Sequence, residues 1–178
     1  MDKPVLTSRL ARQDDLEAIA ALMDAAISTL QAPFLDAQQV ESSRAIMGLD
    51  TQLIEDGTYF VVEEEGELVG CGGWSDRVTL YGGDQSSGRD ASLLDPEKDA
   101  ARIRAMYTHP AYTRKGIGTL VLSLCEEAAR SRGFRKAELM STLAGEALYR
   151  ARGYEVIELL EDDRGGVPVP LLRMGKKF

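Results

Sequence analysis

The chain has 178 residues, 44% of them hydrophobic and 28% charged, which excludes a disordered polymer and allows one domain, residues 1–178, with a core of its own. No apolar run reaches the roughly 18 residues of a membrane span. Charges interrupt Met1 to Leu16 where a signal peptide would be apolar, so a cytoplasmic protein with no membrane partner is expected. A net charge of −8 argues against nucleic acid, whose binding needs clustered Lys and Arg.

Residues Val5 to Arg9 alternate apolar and polar and predict a first strand. Asp14 or Asp15 then offers an N-cap for a helix with Leu16, Ile19, Ala20, Leu22, Met23, Ala26 and Ile27 on its apolar face, broken by Pro33. A second helix is expected over Asp36 to Leu49. Thr58 to Glu64 and Glu67 to Trp74 form a hairpin around Glu65-Gly66. From Asp76 to Ala100 the periodicity fails and a long loop is expected, a feature often functional in a compact domain. A strand at Ala101 to Thr108 leads past Pro110 into a helix from Gly116 to Arg132, closed by Gly133. A strand (Arg135 to Ser141), a short helix (Gly145 to Arg152) and two strands (Tyr154 to Leu160, Val167 to Met174) follow. The order β-α-α-β-β-β-α-β-α-β-β predicts a mixed α/β domain around one central sheet. Cys71 and Cys125 sit in apolar stretches and read as buried free thiols of a reducing compartment. No metal site is expected.

The segment from Met106 to Thr119 is the most informative. A strand ends, the chain turns, and Gly116 and Gly118 open a long amphipathic helix. The first turn of a helix has free N–H groups and the positive end of the dipole, an anion site. Glycines there let a phosphate approach the backbone, and Arg114 and Lys115 add positive charge. Between Arg102 and Lys136 the net charge is +6, leaving −14 for the remainder. That contrast suits a local anionic ligand or, more simply, a solvated face. A Rossmann turn would need a third glycine where Val121 stands, and no phosphate-loop motif occurs; a plain strand-to-helix turn is the alternative.

Thr108-His-Pro110 followed by Thr113-Arg-Lys-Gly-Ile-Gly118 resembles the cofactor motif of the GNAT superfamily of N-acetyltransferases, with Thr113 at a position usually Gln or Arg. The element order matches that family over nearly the whole chain. The resemblance implies a GNAT-like fold: a mostly antiparallel sheet, splayed between its two central strands, with helices on both faces. It also implies acetyl-coenzyme A as cosubstrate. The pyrophosphate would lie on the amides of Arg114, Lys115, Gly116, Ile117, Gly118 and Thr119, and the pantetheine arm along Met106, Tyr107 and Thr108. His109, the one histidine, reads more simply as a turn residue than as a catalyst.

Ser141 to Tyr154 is similar to the family's second signature and sets Tyr149 at the position of its general acid. An acid there suits the chemistry, because a departing thiolate must be protonated or stabilised. Leu148 then points inward and Tyr149, about 100° further round the helix, faces the cofactor groove. Thr142 stands where the family has Asn and takes that cofactor contact. No general base is assigned; Glu138, Asp76 and Asp84 are candidates, as is a water chain. The acceptor side draws on Phe34, Gln38, Glu41 and Arg44, with Trp74, Tyr81 and Asp84 around the loop. Arg102 and Arg104 could bind an acceptor carboxylate or pair with Asp95, Glu97 and Asp99. The expected activity is acetyl transfer to a primary amine of a small molecule or peptide; the alternative is a non-catalytic acyl-coenzyme A sensor. A homodimer through a sheet edge and the apolar strand from Val167 is compatible with the family.

Overall fold

The computed structural model describes residues 3–178, so the opening Met1-Asp2 of the N-terminal expectation lies outside the described residues. In chain order the elements are β1 (Leu6–Leu10), α1 (Leu16–Leu30), α2 (Ala37–Ser43), α3 (Thr51–Glu55), β2 (Tyr59–Glu64), β3 (Glu67–Ser75) and β4 (Ala101–Thr108). Then come α4 (Ile117–Ser131), β5 (Lys136–Thr142), α5 (Glu146–Ala151), β6 (Glu155–Asp162) and β7 (Val169–Lys177). Short 3-10 turns cover Gln13–Asp15 and Pro110–Tyr112.

The strands form one sheet in the order β1-β2-β3-β4-β5-β7-β6. Only β4 and β5 run parallel, and they pair only at Ala101–Ala137 and Arg102–Glu138 before parting. The fold is therefore the expected mixed α/β one, mostly antiparallel and splayed at its centre. Glu65 and Gly66 both have positive φ, the geometry of a type I′ turn, which matches strand twist and fixes the β2–β3 register.

Strand alternation sends Val61 and Cys71 into a core under α1, with Ile19, Leu22, Met23, Ala26 and Ile27. Val62, next along β2, goes to the opposite core under α4, with Ile117, Val121, Leu122 and Cys125; so does Val69, which the register shift at Val62/Glu63 turns away from the face that Cys71 uses. Each such aliphatic side chain contributes about 1.5–3 kcal/mol by burial. α4 approaches β3 closely because Gly70 and Gly72 face it. A methyl at Gly70 would collide with the Ile117 side chain, and one at Gly72 would come within 2.7 Å of Val121 and Met106.

Two local expectations need correction, and the long loop is found as expected, with no helix or strand between β3 and β4. The helix expected over Asp36 to Leu49 is only Ala37–Ser43, capped by the Asp36 carboxylate accepting from Gln39 N–H at 2.8 Å. It ends early because Ser43 Oγ donates back to the Val40 carbonyl and Ser42 Oγ to Val167 across the molecule, competing with the helical ladder. The separate helix α3 was not anticipated. The long loop is folded back on itself, with an isolated bridge between Arg77 and Leu93 and an Arg77–Asp56 pair at 2.7 Å. Finally, β7, which contains most of the apolar C-terminal run, is paired on both sides; the open edges belong to β1 and β6.

Candidate active site

The functional geometry grows from an irregularity in β4. Cys71 lies opposite Tyr107 and Gly73 opposite Arg104, so Ala105 and Met106 together face the single residue Gly72. This is a β-bulge, with Ala105 held at a φ of +51°. The Tyr59 hydroxyl donates to the Ala105 carbonyl at 2.8 Å and braces it. Past the bulge, His109 N–H donates to the Val69 carbonyl at 2.9 Å. By alternation, Thr108 and Met106 turn their backbone groups away from β3, toward the gap left by β5.

The gap holds a cavity of about 120 Å³. Ile103 to Tyr107 form one wall, Leu139, Met140 and Thr142 another, and Gly145 and Tyr149 close the α5 side. Met47 and Gly48, after α2, and Tyr81 and Gly82, in the long loop, border it on the remaining side. Tyr149 is half-buried, packs edge-on to Tyr154 with ring centroids 6.0 Å apart, and its hydroxyl bonds to none of the described residues. Burial pushes its pKa well above the usual 10.0 of a phenol, so it is protonated at neutral pH. Thr142 Oγ1 accepts from Gly145 N–H at 3.3 Å.

At the mouth, the turn into α4 has Arg114 at φ +61° and Gly116 at φ +81°. The first backbone N–H of α4 with an acceptor is that of Leu120, bonded to the Gly116 carbonyl. The amides of Arg114 to Thr119 therefore project without partners among the described residues, a concave set of donors at the positive end of a 15-residue helix. Arg114, Lys115 and Gly116 are exposed; Lys115 Nζ rests 4.8 Å from the centre of the Tyr112 ring. The two glycines serve different ends. Gly116 has open space around it and is required by its φ, whereas a methyl at Gly118 would meet Leu148 of α5 at 2.8 Å. His109 caps the Pro110–Tyr112 turn, its Nδ1 accepting from Ala111 N–H at 3.1 Å.

The base candidates lie elsewhere. Glu138 is held between Arg173 at 2.8 Å and Arg102 at 3.3 Å, Asp76 pairs with Arg132, and Asp84 accepts from the Thr51 N–H and hydroxyl. None borders the cavity. Of the acceptor-side residues Tyr81 and Arg104 do; Phe34, Gln38 and Glu41 are exposed, and Trp74 is core, packed edge-on against Phe134. Arg104 pairs not with the loop acids but with Asp50, at 2.7 Å. Sequence reasoning missed Met47 and Gly48, whose place at the cavity depends on α2 ending early.

A sequence model described as the acetyltransferase (GNAT) family matches residues 19–154, from α1 to the threshold of β6. The uncharacterised N-acetyltransferase YjgM of Escherichia coli (strain K12) is 33% identical over 103 residues, which cover 56% of this chain and about half (52%) of that relative. Among solved structures, a GCN5-related N-acetyltransferase of Rhodopseudomonas palustris superposes with a TM-score of 0.70 at 20% identity, over 100% of this chain and 98% of that one. The PaiA N-acetyltransferase of Thermoplasma acidophilum, solved with coenzyme A, gives 0.65 at 16% identity, over 98% and 99% of the two chains. At such identities these structures speak for the fold alone. The sequence match, which takes in the bulged strand, the turn at Gly116 and the α5 helix, makes this chain a member of the acetyltransferase (GNAT) family.

Proposed function

We propose that this protein moves an acetyl group from acetyl-coenzyme A to a primary amine of a small molecule or peptide. The observation that carries the reading is the row of unpartnered amides from Arg114 to Thr119, opening beside a split in the sheet that leads to Tyr149. Those donors fit a diphosphate, with Arg114 and Lys115 flanking it. Met106 and Thr108 offer backbone groups that a pantetheine amide could extend, in the manner of an added strand. Thr142 borders the same gap. The thioester supplies an activated acyl group; the chain's part is to place it and handle the protons.

Tyr149 is the donor toward the departing sulfur. A phenol is already a weaker acid than a thiol, ordinarily near 8.5, and burial raises the Tyr149 pKa further, so it stabilises the thiolate by hydrogen bonding while keeping its proton in the ground state. Among the described residues no carboxylate or imidazole lines the cavity, so the amine's proton leaves through water and the amine reacts from its neutral form. Turnover should therefore rise with pH through the pKa of the acceptor. Buried thiols at Cys71 and Cys125 suit work in a reducing compartment such as the cytoplasm.

The test pairs calorimetry with coenzyme A against thiol release with a panel of amines. Tyr149→Phe should lower turnover by roughly 100-fold or more with cofactor affinity nearly intact. Coenzyme A binding without release to any amine would instead indicate a sensor, and no binding at all would end the proposal.

A further inference from the structure

The reading above leaves the acceptor's chemistry open, and the α1 side of the cavity speaks to it. Among the described residues Arg104 is the one ordinarily ionised side chain on the cavity wall, and its side chain is 2% exposed. Its Nη2 donates to the Gly82 carbonyl at 2.6 Å and lies 2.7 Å from Asp50 Oδ2. That second contact is an ion pair without hydrogen-bond alignment, since Asp50 Oδ2 has no hydrogen-bond donor. The Nε of Arg104 is fully enclosed with no partner, and Nη1 bonds to none of the described residues. Asp50 is shared with a second guanidinium, Arg89, at 2.9 Å. Two guanidiniums thus meet one buried carboxylate, while the exposed Asp84, bonded to Thr51, also acts on Arg104.

The bulge adds a second donor. In an unbroken strand, residues three apart point to opposite faces. The extra residue at Ala105 brings Arg104 and Tyr107 to the same face, Arg104 reaching Asp50 ahead of α3 and Tyr107 reaching Gly48. The Tyr107 hydroxyl accepts from Gly48 N–H at 3.0 Å. Its own proton has no acceptor among the described residues, although the residue is only 8% exposed. Buried N–H and O–H donors without acceptors are costly, those of a charged group most of all.

We infer that the acceptor is an amine bearing a carboxylate, and that Arg104 and Tyr107 receive that carboxylate on the α1 side of the bulge. The inference rests on the transferase reading, of which it specifies the substrate class. A carboxylate is flat, offers acceptors to Arg104 Nη1 and the Tyr107 hydroxyl, and fits a space of about 120 Å³; a phosphate is bulkier and more highly charged. A polyamine would bring further positive charge against Arg104.

The experiment takes the coenzyme A-loaded protein for binding and the acetyl-coenzyme A reaction for turnover. The probes are glycine, β-alanine, γ-aminobutyrate, glutamate and phenylalanine, each against its primary amide. At least one carboxylate should exceed its amide by roughly 10- to 100-fold in affinity and in kcat/KM, the range for hydrogen bonds to a charged group. In the double variant Arg104→Met with Asp50→Asn, which strands no carboxylate at position 50, the preference should vanish. Equal use of carboxylates and amides, binding of neither, or a preference that survives the double variant overturns the inference. Turnover of amides alone would do so while leaving the transferase reading intact. Failure to bind coenzyme A, measured first and separately, strikes the transferase reading; the wild-type comparison of carboxylate and amide binding then still judges Arg104 and needs no variant to fold.

Discussion

Gly116 and Gly118 stand two residues apart in one motif and are glycine for unrelated reasons. At Gly116 the left-handed φ of +81° excludes a comfortable side chain although space is open; an alanine there costs about 1–2 kcal/mol of backbone strain. It also tilts the amides that the proposed diphosphate uses. Gly116→Ala should lower urea stability modestly and weaken coenzyme A binding in calorimetry. At Gly118 the backbone is helical and the limit is Leu148 Cδ2, 2.8 Å from a built methyl. Gly118→Ala should therefore cost about 1–3 kcal/mol as overpacking. Since Leu148→Ala opens that space, the double variant should be more stable than the two separate losses summed. Strict additivity in urea denaturation would mean that Gly118 and Leu148 are not in conflict.

The start of α1 shows how an element is fixed by residues that local patterning only partly reveals. Asp15 was legible as a capping residue, but its carboxylate serves the 3-10 turn ahead of the helix, accepting from Arg12 N–H at 2.7 Å. It also pairs with Arg9 of β1 at 2.7 Å. Hydrogen bonding to the Arg9 guanidinium leads the effects that draw its pKa from 3.8 down to about 2. A carboxylate depressed in the folded state stabilises the fold above its unfolded pKa, and that contribution fades as pH falls from about 4 toward 2. For this 9%-exposed group it amounts to about 2 kcal/mol. Asp15→Asn should therefore be less stable than the wild type at pH 7, with the two denaturation curves converging near pH 2. A constant gap at all pH values would deny the ion pair that role. The strands were legible because alternation and the Glu65-Gly66 turn are local. The division of the second helix was not, because Ser42 bonds to Val167, 125 residues away in sequence. The same holds for the site: the turn at Gly116 and the place of Tyr149 could be read from motifs. The Arg104–Asp50–Arg89 cluster could not, because it joins three elements with no common pattern.

Across the whole molecule the one sheet separates the two larger of three buried clusters, and each of these two holds a cysteine that reports on it. Cys71 lies under α1 and Cys125 under α4, 1% and 0% exposed. Burial pushes the Cys71 thiol up to about 12 and raises that of Cys125 as well, so neither reacts as a thiolate while folded. Labelling must wait for opening. Because α4 and α1 grip the same strands from opposite faces, with Val61 and Val62 of β2 adjacent in the chain yet in different cores, losing one core should expose the other. A thiol reagent should then modify Cys71 and Cys125 at a single rate set by global unfolding. Coenzyme A bound at the mouth of α4 should slow both equally, by the factor one plus its concentration over Kd. If Cys125 alone were protected, or if the two rates differed tenfold, the α4 side would be opening by itself. The turn that holds the proposed diphosphate would then be a unit that can leave the sheet without unfolding the rest.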